Sequence, residues 1–362
     1  MPKRFIFVLV ITQALLTAFH LLFYYVLLLF FPTLAAYHKT VFTAILLLSV
    51  SFLVFSVLCH YFENFIFRLG YILAGIWLVL GFYCATALTL ALILSQVFNS
   101  GLEPLGYIAE GVGMALTLYG LLNARFHRIT KIKVKLANLP EAWKNKTAIV
   151  AADLHFGQVL RTKTAKNIVK LINAQTPDIV FIPGDFYDGV HNNLHHTADV
   201  FKNIKAPLGI YFCSGNHELY AGYGACEQAI KDAGIKILED TKVEIQGLQI
   251  FGLAYKSETD EEVEERLKNI GVDASKPSLL LKHVPDHLPA IEKAGINFQI
   301  SGHTHHGQIW PFRYITSKVF KGFDYGLKRL GNLQVYTSSG VGTWGPPLRV
   351  FTKSELVKIS FE

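Results

Sequence analysis

The sequence predicts an α/β protein in two parts: four transmembrane helices come first, and a domain of two facing sheets flanked by helices follows. The distribution of charge is the first reason. Residues 1–122 hold 4 Lys and Arg and 3 Asp and Glu, whereas residues 123–362 hold 30 and 24. The other two reasons are the apolar spans of the first part and the alternating strand and helix patterns of the second. We therefore expect two domains, 1–122 and 123–362.

Four apolar spans account for most of the first part, and they cover residues 5–31, 41–59, 71–97 and 105–122. A helix needs about 20 apolar residues to cross a bilayer. The first and third spans are long enough, and the two marginal spans could cross through snorkelling or local thinning of the bilayer. A soluble bundle is the alternative, but its helices would carry a polar face that these spans lack. The first span is too long for a signal peptide and lacks a small-residue cleavage site.

Basic residues near the ends of the spans predict the orientation. Lys3 and Arg4 precede the first span, and Arg68 lies between the second and third. Five more follow the fourth span: Arg125, Arg128, Lys131, Lys133 and Lys135. Four spans place these three flanks on one side of the membrane, while the opposite flanks hold only Lys39. Because cytoplasmic flanks carry the excess of Lys and Arg, we expect both termini and the second domain in the cytoplasm.

Glu110 lies within the fourth span, where a buried carboxylate is costly and often functional. An interfacial position, or pairing with a neighbouring helix, is the interpretation we favour. Close helix packing is the expected role of four glycines: Gly106, Gly111, Gly113 and Gly120. In the second domain the only cysteines are Cys213 and Cys226, which predicts no disulfide framework and fits a reducing compartment.

Strand and helix patterns follow one another from residue 129 onward. Residues 129–136 alternate apolar and basic side chains with the period of a strand, and the following Leu-Pro favours an edge strand near the membrane over a basic lipid-facing segment. The next segments alternate between strand and helix, as in an α/β sheet: 147–151, 163–174, 179–182, 195–203, 210–213 and 223–233. A charged surface helix is expected over 258–269. The remaining segments are predicted strands: 243–245, 248–253, 279–281, 298–300, 333–336 and 356–359.

Five polar signatures in the second domain predict one binuclear metal site. They are Asp153-Leu154-His155, Gly184-Asp185, Gly215-Asn216-His217-Glu218, His283 and Gly302-His303-Thr304-His305. Four follow a short apolar run that is predicted to be a buried strand, and the fifth follows the shorter run 298–300. Strand ends are rigid, so loops there can hold ligands in fixed geometry. Each signature alone is more often an ordinary turn or strand end, but the five together favour a metal site.

The five signatures, in this order, resemble the calcineurin-like metallophosphoesterase superfamily over about residues 129–362. The resemblance implies an αββα sandwich and two divalent metal ions, for which Mn²⁺ is expected and Fe or Zn²⁺ are alternatives. It also implies seven ligands. Those of one ion are Asp153, His155 and His305, those of the other are Asn216, His283 and His303, and the bridge between them is Asp185.

The implied chemistry is hydrolysis of a phosphate ester or a diphosphate. Two metal ions about 3.5–4 Å apart can clamp the attacking and leaving oxygens of an in-line displacement and lower the pKa of a bound water. In the family pattern His217 faces the substrate. Its implied catalytic role is to stabilise the phosphoryl oxygens or to protonate the leaving group.

A longer signature, residues 302–308, resembles a membrane-anchored subgroup of this family. The Leu139-Pro140 pair and the closing stretch 338–347 belong to the same resemblance. Some members of the subgroup hydrolyse the diphosphate of UDP-2,3-diacylglucosamine. His306 stands where that pattern has a glycine, so either the backbone there need not have positive φ or the histidine tolerates it.

The second domain has six more basic than acidic residues, 30 against 24, which suits membrane lipids and a phosphorylated, lipid-linked substrate. No basic-aromatic stripe supports nucleic-acid binding, so none is expected. The alternatives are a phosphodiesterase or phosphatase of soluble substrates, a non-catalytic metal-binding scaffold, and a small transport unit with an attached enzyme. The intact His217 argues against the scaffold. The sequence leaves the oligomeric state open.

Two further segments contain aromatic or histidine side chains outside the five signatures. Trp310-Pro311-Phe312-Arg313-Tyr314 is expected either to form a lipid-facing lip beside the site or to pack as an ordinary loop. His191, His195 and His196 lie outside the metal pattern and are expected in a surface loop or at the start of a helix.

Overall fold

The computed structural model describes residues 3–62, 64–98, 101–189 and 194–362, with side chains from residue 10 onward. The chain divides into two compact units. The helical unit comprises Met1–Leu122 and Gly345–Val350, and the α/β unit comprises Asn123–Trp344 and Phe351–Glu362. The sequence indicated a single boundary near Asn123, and it did not indicate that Gly345–Val350 groups with the helices.

The four long helices of the helical unit are α1 (Lys3–Phe30), α2 (His38–Tyr61), α3 (Phe65–Phe98) and α4 (Leu102–Asn123). Each contains a segment long and apolar enough to cross a membrane. The second and fourth spans were predicted to be marginal, but α2 and α4 contain 24 and 22 residues. At 1.5 Å per residue these helices are about 36 and 33 Å long, which exceeds the roughly 30 Å hydrocarbon core of a bilayer.

Glycines of α4 let other parts of the helical unit approach closely. A Cβ at Gly106 would lie 2.9 Å from the Phe30 ring, and a Cβ at Gly113 would lie 2.5 Å from the Cys84 Sγ. At Gly111 nothing lies within 4 Å of that position, so the predicted packing role of Gly111 is wrong. Gly111 lies on a face of α4 that no other described residue covers.

The segment Gly345–Val350 is held in the helical unit by its own contacts. The Arg349 N–H donates to the Gly120 carbonyl at 3.0 Å. A Cβ at Gly120 would lie 2.7 Å from Val350 Cγ2, and one at Gly75 would lie 3.2 Å from Pro346 Cα. Two glycines on different helices therefore make room for the segment Gly345–Val350.

Several polar side chains of the helices bond within the helical unit. Trp77 Nε1 donates to His20 Nε2 at 3.1 Å, and Gln13 Nε2 donates to the Ser49 carbonyl at 3.1 Å. Glu110 lies close to the Cys84 thiol on α3, and its Oε1 is buried without a hydrogen bond to the described residues. This arrangement is the pairing with a neighbouring helix that we favoured.

The α/β unit contains two six-stranded mixed sheets. In spatial order, the strands of the first are β1 (His127–Val134), β12 (Ser354–Phe361), β2 (Thr147–Val150), β3 (Ile179–Pro183), β4 (Ile210–Cys213) and β5 (Lys236–Ile237). Those of the second are β10 (Gly326–Leu330), β11 (Leu333–Thr337), β9 (Phe298–Ser301), β8 (Ser278–Leu281), β7 (Leu248–Gly252) and β6 (Thr241–Ile245). Neighbouring strands from β2 to β5 are parallel, and so are those from β11 to β7.

Three apolar clusters show that the sheets face each other between layers of helices. The middle cluster includes Phe181 of β3 and Leu279 of β8, one from each sheet. The first outer cluster joins the other face of the first sheet to α5 (Thr162–Asn173), α6 (Leu194–Ala198) and α8 (Tyr223–Asp232). The second joins the other sheet to α9 (Asp260–Ile270) and α10 (Leu288–Lys293). The predicted αββα sandwich is confirmed.

The observed strands and helices agree with the predicted ones where the sequence has a clear apolar periodicity. β1 lies at the edge of its sheet and pairs only with β12 among the described strands, as predicted. The helix predicted over 195–203 is instead α6 followed by a 3-10 helix over Asp199–Asn203. The strands β5 and β10 were missed, because β5 has two residues and the middle of β10 is exposed and basic.

Candidate metal centre

Loops at the carboxyl ends of parallel strands bring the five polar signatures together. In the first sheet, the loops after β2, β3 and β4 carry Asp153, Asp185 and Asn216. In the second sheet, the loops after β8 and β9 carry His283 and His303. Carboxyl ends of parallel strands open on one edge of a sheet. Each of the two sheets therefore supplies part of one site.

Asp185 lies at the centre of this site. Its Oδ2 is 3.1 Å from His283 Nε2 and 3.6 Å from His155 Nε2. Its Oδ1 accepts a hydrogen bond from the backbone N–H of His217 at 3.0 Å. The carboxylate thus lies between a histidine of the first sheet and a histidine of the second.

Three overlapping groups of side chains could hold a metal ion, and the ligand atoms of each group lie within 4.8 Å of one another. The groups are Asp153, His155 and His305; Asp185, His283 and His303; and His155, Asp185 and His217. All six predicted histidine and aspartate ligands belong to these groups. Asn216, the seventh, directly precedes His217 at the start of α7 (Asn216–Ala221), and its Oδ1 is buried.

The polar atoms of the site fit a cation. Among the described residues, Asp153 Oδ2 and Asn216 Oδ1 are buried without a hydrogen-bond partner. Two pairs of imidazole nitrogens face each other: His155 Nε2 and His305 Nε2 at 2.9 Å, and His283 Nε2 and His303 Nδ1 at 3.2 Å. Lone pairs this close repel unless a proton or a metal ion lies between them. Imidazole, carboxylate and amide oxygen donors without thiolate suit Mn²⁺, Fe or Zn²⁺.

The backbone around the site has an unusual conformation. Five of the seven predicted ligands have φ between 47° and 71°: Asp153, His155, Asp185, His303 and His305. Non-glycine residues rarely adopt this region, and such conformations cluster at ligand sites. Glycines allow the backbone to approach the carboxylates, because a Cβ at Gly215 would lie 2.1 Å from Asp185 Oδ1 and one at Gly302 would lie 2.4 Å from Asp153 Oδ2.

Burial and neighbouring charges set the protonation of the two carboxyl groups in opposite directions. Burial raises the pKa of Asp153 to about 6, and although His283 lowers this pKa, Asp185 raises it further. Burial also acts to raise the pKa of Asp185, but the charges of His283 and His217 hold that pKa well below its usual value. Asp185 is therefore the ionised carboxylate around which the histidines gather.

The two histidines contributed by the second sheet, His283 and His303, have pKa values shifted in opposite directions. Burial lowers the pKa of His283, but the charge and hydrogen bond of Asp185 outweigh it and raise that pKa to about 9. Burial and the charge of His283 lower the pKa of His303 to about 3. His283 Nδ1 donates to the Pro183 carbonyl at 2.9 Å, which directs Nε2 into the site. A metal ion at Nε2 would displace a proton there, so metal affinity should depend on pH.

His217 lies against the ligands without being hydrogen-bonded to them through its ring. Its ring meets that of His155 edge to face, with centroids 4.6 Å apart. Its Nδ1 is buried without a hydrogen-bond partner among the described residues, and burial lowers its pKa. The nearest carboxylate to that nitrogen is Asp188, whose Oδ1 is 3.8 Å away.

Two acidic residues of the site were missed by sequence reasoning. Asp188 Oδ1 is 3.3 Å from His155 Nδ1 as well as close to His217, so it orients both imidazoles. Glu218 is buried, and its carboxylate accepts hydrogen bonds from the backbone N–H groups of Asp185, Tyr187 and Gly215 at 2.8–3.1 Å. Glu218 therefore ties the Gly-Asp loop to the Gly-Asn-His-Glu loop. Its place in the third signature, Gly215-Asn216-His217-Glu218, was the available signal.

His306 has φ 51°, so the histidine tolerates the conformation for which the subgroup pattern uses glycine. Its ring stacks on Tyr325 with centroids 4.3 Å apart and planes 10° apart. The backbone N–H of His306 donates to Thr304 Oγ1 at 3.1 Å. These contacts hold His306 beside the predicted ligand His305.

Two histidines outside the pattern, His195 and His196, are not brought into the site. His195 and His196 are exposed in the short helix α6, and His195 Nδ1 lies 3.8 Å from Asp232. His191 lies outside the described residues.

Comparisons with known proteins match the same part of the chain. A family model described as calcineurin-like phosphoesterase matches residues 146–307, which contain all five signatures. An uncharacterized metallophosphoesterase of Campylobacter jejuni is 32% identical over 237 residues, covering 64% of this chain and 63% of that protein. One of Aquifex aeolicus is 30% identical over 264 residues, covering 69% of this chain and 98% of that protein.

A third relative, from Danio rerio, carries the name transmembrane protein with metallophosphoesterase domain. It is 28% identical over 264 residues, covering 67% of this chain and 60% of that protein. The chain thus spans less than two thirds of the Campylobacter and Danio proteins and nearly all of the Aquifex protein. With the five signatures joined in one site and the Aquifex protein matched almost throughout, the chain belongs to the calcineurin-like metallophosphoesterase family, a family of metal-dependent phosphoesterases.

Proposed function

We propose that this chain is a membrane-anchored hydrolase that cleaves a phosphate ester or diphosphate bond in a lipid-linked substrate, such as UDP-2,3-diacylglucosamine. One observation carries the catalytic part of the proposal. Two groups of potential metal ligands meet around the Asp185 carboxylate, and His217 lies against both. A scaffold that kept metal ions for structure would not need His217 beside the ligands.

The ligand set is proposed on the family pattern and on this geometry. Asp153, His155 and His305 would hold one ion, Asn216, His283 and His303 would hold the other, and Asp185 would bridge them. Mn²⁺ is the expected metal, with Fe or Zn²⁺ as alternatives. When bound, two such ions supply positive charge at the phosphoryl group and activate water for attack.

His217 is the proposed proton donor to the leaving oxygen, or a stabiliser of the phosphoryl oxygens. Its Nδ1 makes no hydrogen bond within the described residues, which leaves it for a substrate. Asp188 lies on the same side, 3.8 Å from that nitrogen, and favours the protonated imidazole. A negatively charged substrate at the site would favour that form further. Asp188 is thus a positioning residue for His217.

The lipid-linked substrate is proposed because the chain carries four helices that can cross a membrane. A catalyst held at a bilayer meets lipid substrates at a raised effective concentration. The excess of Lys and Arg at the first, third and fifth flanks of the spans supports a cytoplasmic α/β unit. A reporter that is active only outside the cytoplasm, fused after Glu362, should be silent. Strong activity of that reporter would reverse the proposed orientation.

An assay of the purified full chain with Mn²⁺ tests the function. UDP-2,3-diacylglucosamine, bis-p-nitrophenyl phosphate and p-nitrophenyl phosphate represent a lipid-linked diphosphate, a diester and a monoester. We expect the lipid-linked diphosphate to be turned over with the highest kcat/KM, and chelation to abolish turnover. Preference for a soluble ester would favour a phosphodiesterase or phosphatase of soluble substrates. No turnover of any of the three by protein that retains two metal ions per chain would favour the scaffold.

A further inference from the structure

A patch of exposed apolar side chains lies on the α/β unit around α11 (Arg313–Val319). We define the α11 surface by six residues that are 39–63% exposed: Phe312, Tyr314, Ile315, Val319, Trp344 and Phe351. Ten large apolar side chains of this unit are exposed among the described residues, and the α11 surface holds six of them. Such concentration marks a surface that meets another apolar phase, because scattered single residues would need no explanation.

Gln308 and Trp310, which precede α11, contact a second part of the chain that contains Trp344, Phe351 and Thr352. The Gln308 side chain donates to the Trp344 carbonyl at 2.8 Å and accepts from the Trp344 N–H at 2.9 Å. Thr352 Oγ1 donates to the Gln308 carbonyl at 2.7 Å. The Trp310 and Phe351 rings meet edge to face at 6.3 Å. The α11 surface therefore comes from three chain segments joined into one piece.

The same piece is attached to the loop that carries the last metal ligands. A Cβ at Gly307 would lie 2.3 Å from the Arg313 backbone nitrogen, so the first turn of α11 rests directly on that loop. The Phe320 ring, which follows α11, meets the His303 ring edge to face at 6.0 Å. Whatever the α11 surface binds is consequently held next to the proposed site of hydrolysis.

The chain segment that contains α11 has many more basic than acidic residues. From residue 302 to residue 353 there is one acidic residue, Asp324, and it is buried. The same stretch holds seven basic residues: Arg313, Lys318, Lys321, Lys328, Arg329, Arg349 and Lys353. Of these, Lys318 and Lys321 are exposed within or just after α11. Aromatic and aliphatic side chains bordered by Lys and Arg are the composition of helices that lie in the head-group region of anionic membranes.

The positions of Trp344 and Phe351 in the chain also favour a membrane as the binding partner of the α11 surface. Trp344 precedes Gly345 and Phe351 follows Val350, and Gly345–Val350 is the segment that belongs to the helical unit. Two of the six residues are therefore one peptide bond away from a unit whose four helices can cross a membrane. A second copy of the chain is a poorer occupant, because it would bring like-charged surfaces together.

We propose that the α11 surface inserts into the head-group region of an anionic bilayer and holds the mouth of the metal centre against the lipid surface. The proposal rests on the proposed function in one respect: a lipid-linked substrate would enter the site from that surface. Phe312, Ile315 and Val319, spaced three and four residues apart, form the inserted stripe. Lys318 and Lys321 bind lipid phosphates beside it.

Spin labelling of the full chain in vesicles tests the contact without using activity. The four native cysteines are buried, so Ile315→Cys can be labelled selectively, with the exposed Glu265→Cys on α9 as the matched control. In vesicles of phosphatidylcholine and phosphatidylglycerol, the label at 315 should be relaxed by oxygen, which concentrates in lipid, and protected from a water-soluble nickel chelate. The label at 265 should show the reverse. A label at 315 that is open to the chelate, or closed to both reagents as in a protein contact, would overturn the proposal.

A second measurement separates this proposal from the proposed substrate. In the Ile315→Ser/Val319→Ser variant, turnover of UDP-2,3-diacylglucosamine in vesicles should fall relative to turnover of bis-p-nitrophenyl phosphate by about tenfold or more, because the effective concentration of substrate is lost. Equal falls for both substrates would overturn the docking role. Lipid contact at 315 in a protein that does not hydrolyse UDP-2,3-diacylglucosamine would support the docking surface and count against that substrate.

Discussion

The helical unit and the α/β unit distribute apolar side chains in opposite ways. Among the described residues, thirty large apolar side chains are exposed in the helical unit and ten in the larger α/β unit. In the α/β unit the apolar residues fill three clusters around the sheets, as expected for a protein folded in water. In the helical unit they face outward, which is stable only where the surroundings are apolar. The difference indicates that the α/β unit is surrounded by water and the helical unit by apolar lipid.

The two units also differ in where their buried polar atoms without hydrogen bonds lie. In the helical unit, Glu110 Oε1 and Arg68 Nε are buried without a hydrogen bond to the described residues, and neither residue belongs to a group of described side chains that could hold a metal ion. In the α/β unit, four of the seven such atoms of the described residues belong to the candidate metal site, on Asp153, His155, Asn216 and His217. Since each buried polar atom without a partner is costly, a cluster of them beside potential metal ligands indicates a binding site, whereas scattered ones indicate local packing.

The largest expected effect tests whether that cluster works as a unit. Asp185→Asn removes the charge shared by both groups of ligands, so metal content and hydrolysis should be lost together. Elemental analysis and turnover of bis-p-nitrophenyl phosphate measure the two losses. Asp199→Asn, at an exposed carboxylate paired with Lys202, is the control and should change neither. Full activity in Asp185→Asn, or activity with one metal ion per chain, would contradict the bridging role.

The next effect separates proton handling from metal binding. His217→Ala should retain both metal ions but lower turnover by roughly 10²–10⁴-fold, the usual contribution of a general acid or base. The loss should be smaller for a nitrophenolate leaving group if His217 protonates the leaving oxygen. An equal loss for good and poor leaving groups would assign it to stabilisation of the phosphoryl oxygens. Unchanged turnover would instead favour the alternative that the protein is a non-catalytic metal-binding scaffold.

A smaller effect is expected at Asp188, which acts through its neighbours. Asp188→Asn keeps the shape but removes the charge that orients His155 and His217. Metal affinity or turnover should fall by about 10–100-fold, as for other residues that orient metal-bound histidines. A merely structural role would lower the melting temperature and leave the metal affinity of the folded protein unchanged. Titration of metal-free protein with Mn²⁺ distinguishes the two results.

The smallest effect lies in the helical unit and concerns packing alone. Gly113→Ala would place a Cβ 2.9 Å from the Cys84 backbone nitrogen and 2.5 Å from its Sγ, whereas Gly111→Ala meets nothing within 4 Å. Overpacking at Gly113 should therefore destabilise the helical unit by about 1–3 kcal/mol, and Gly111→Ala should not. Thermal unfolding in detergent, followed by helical circular dichroism, compares the variants. Equal stabilities would show that the helices do not pack closely at Gly113.

Much of the fold was predictable because its signals are local. The strands around residues 179–183 and 210–213 were predicted to within one residue at either end, since short apolar runs bounded by polar turns indicate buried strands. The helices α10 and α11 were missed. α10 has only six residues, and α11 has no buried residue, so neither produces an apolar periodicity that could be detected.

The seven predicted ligands and His217 were implied by the resemblance of the five signatures to the family, and the structure brings these side chains together. What the sequence could not predict are contacts between segments that meet only in the folded sheets. Asp188 was missed because its relation to His155 and His217 depends on adjacent strands. Gly111 was assigned a packing role because its spacing does not reveal which face of α4 is covered.

By itself, the sequence determined which segments are apolar enough to span a membrane, which form strands, and which polar side chains follow those strands. These properties depend on neighbours along the chain. Only the tertiary structure decided that Gly345–Val350 groups with the helices, that Glu218 joins the loops of two signatures, and that Phe312 and Tyr314 are exposed while Trp310 packs against Phe351. The physical reason is that burial and contact across sheets are set by strand order, which local periodicity does not encode.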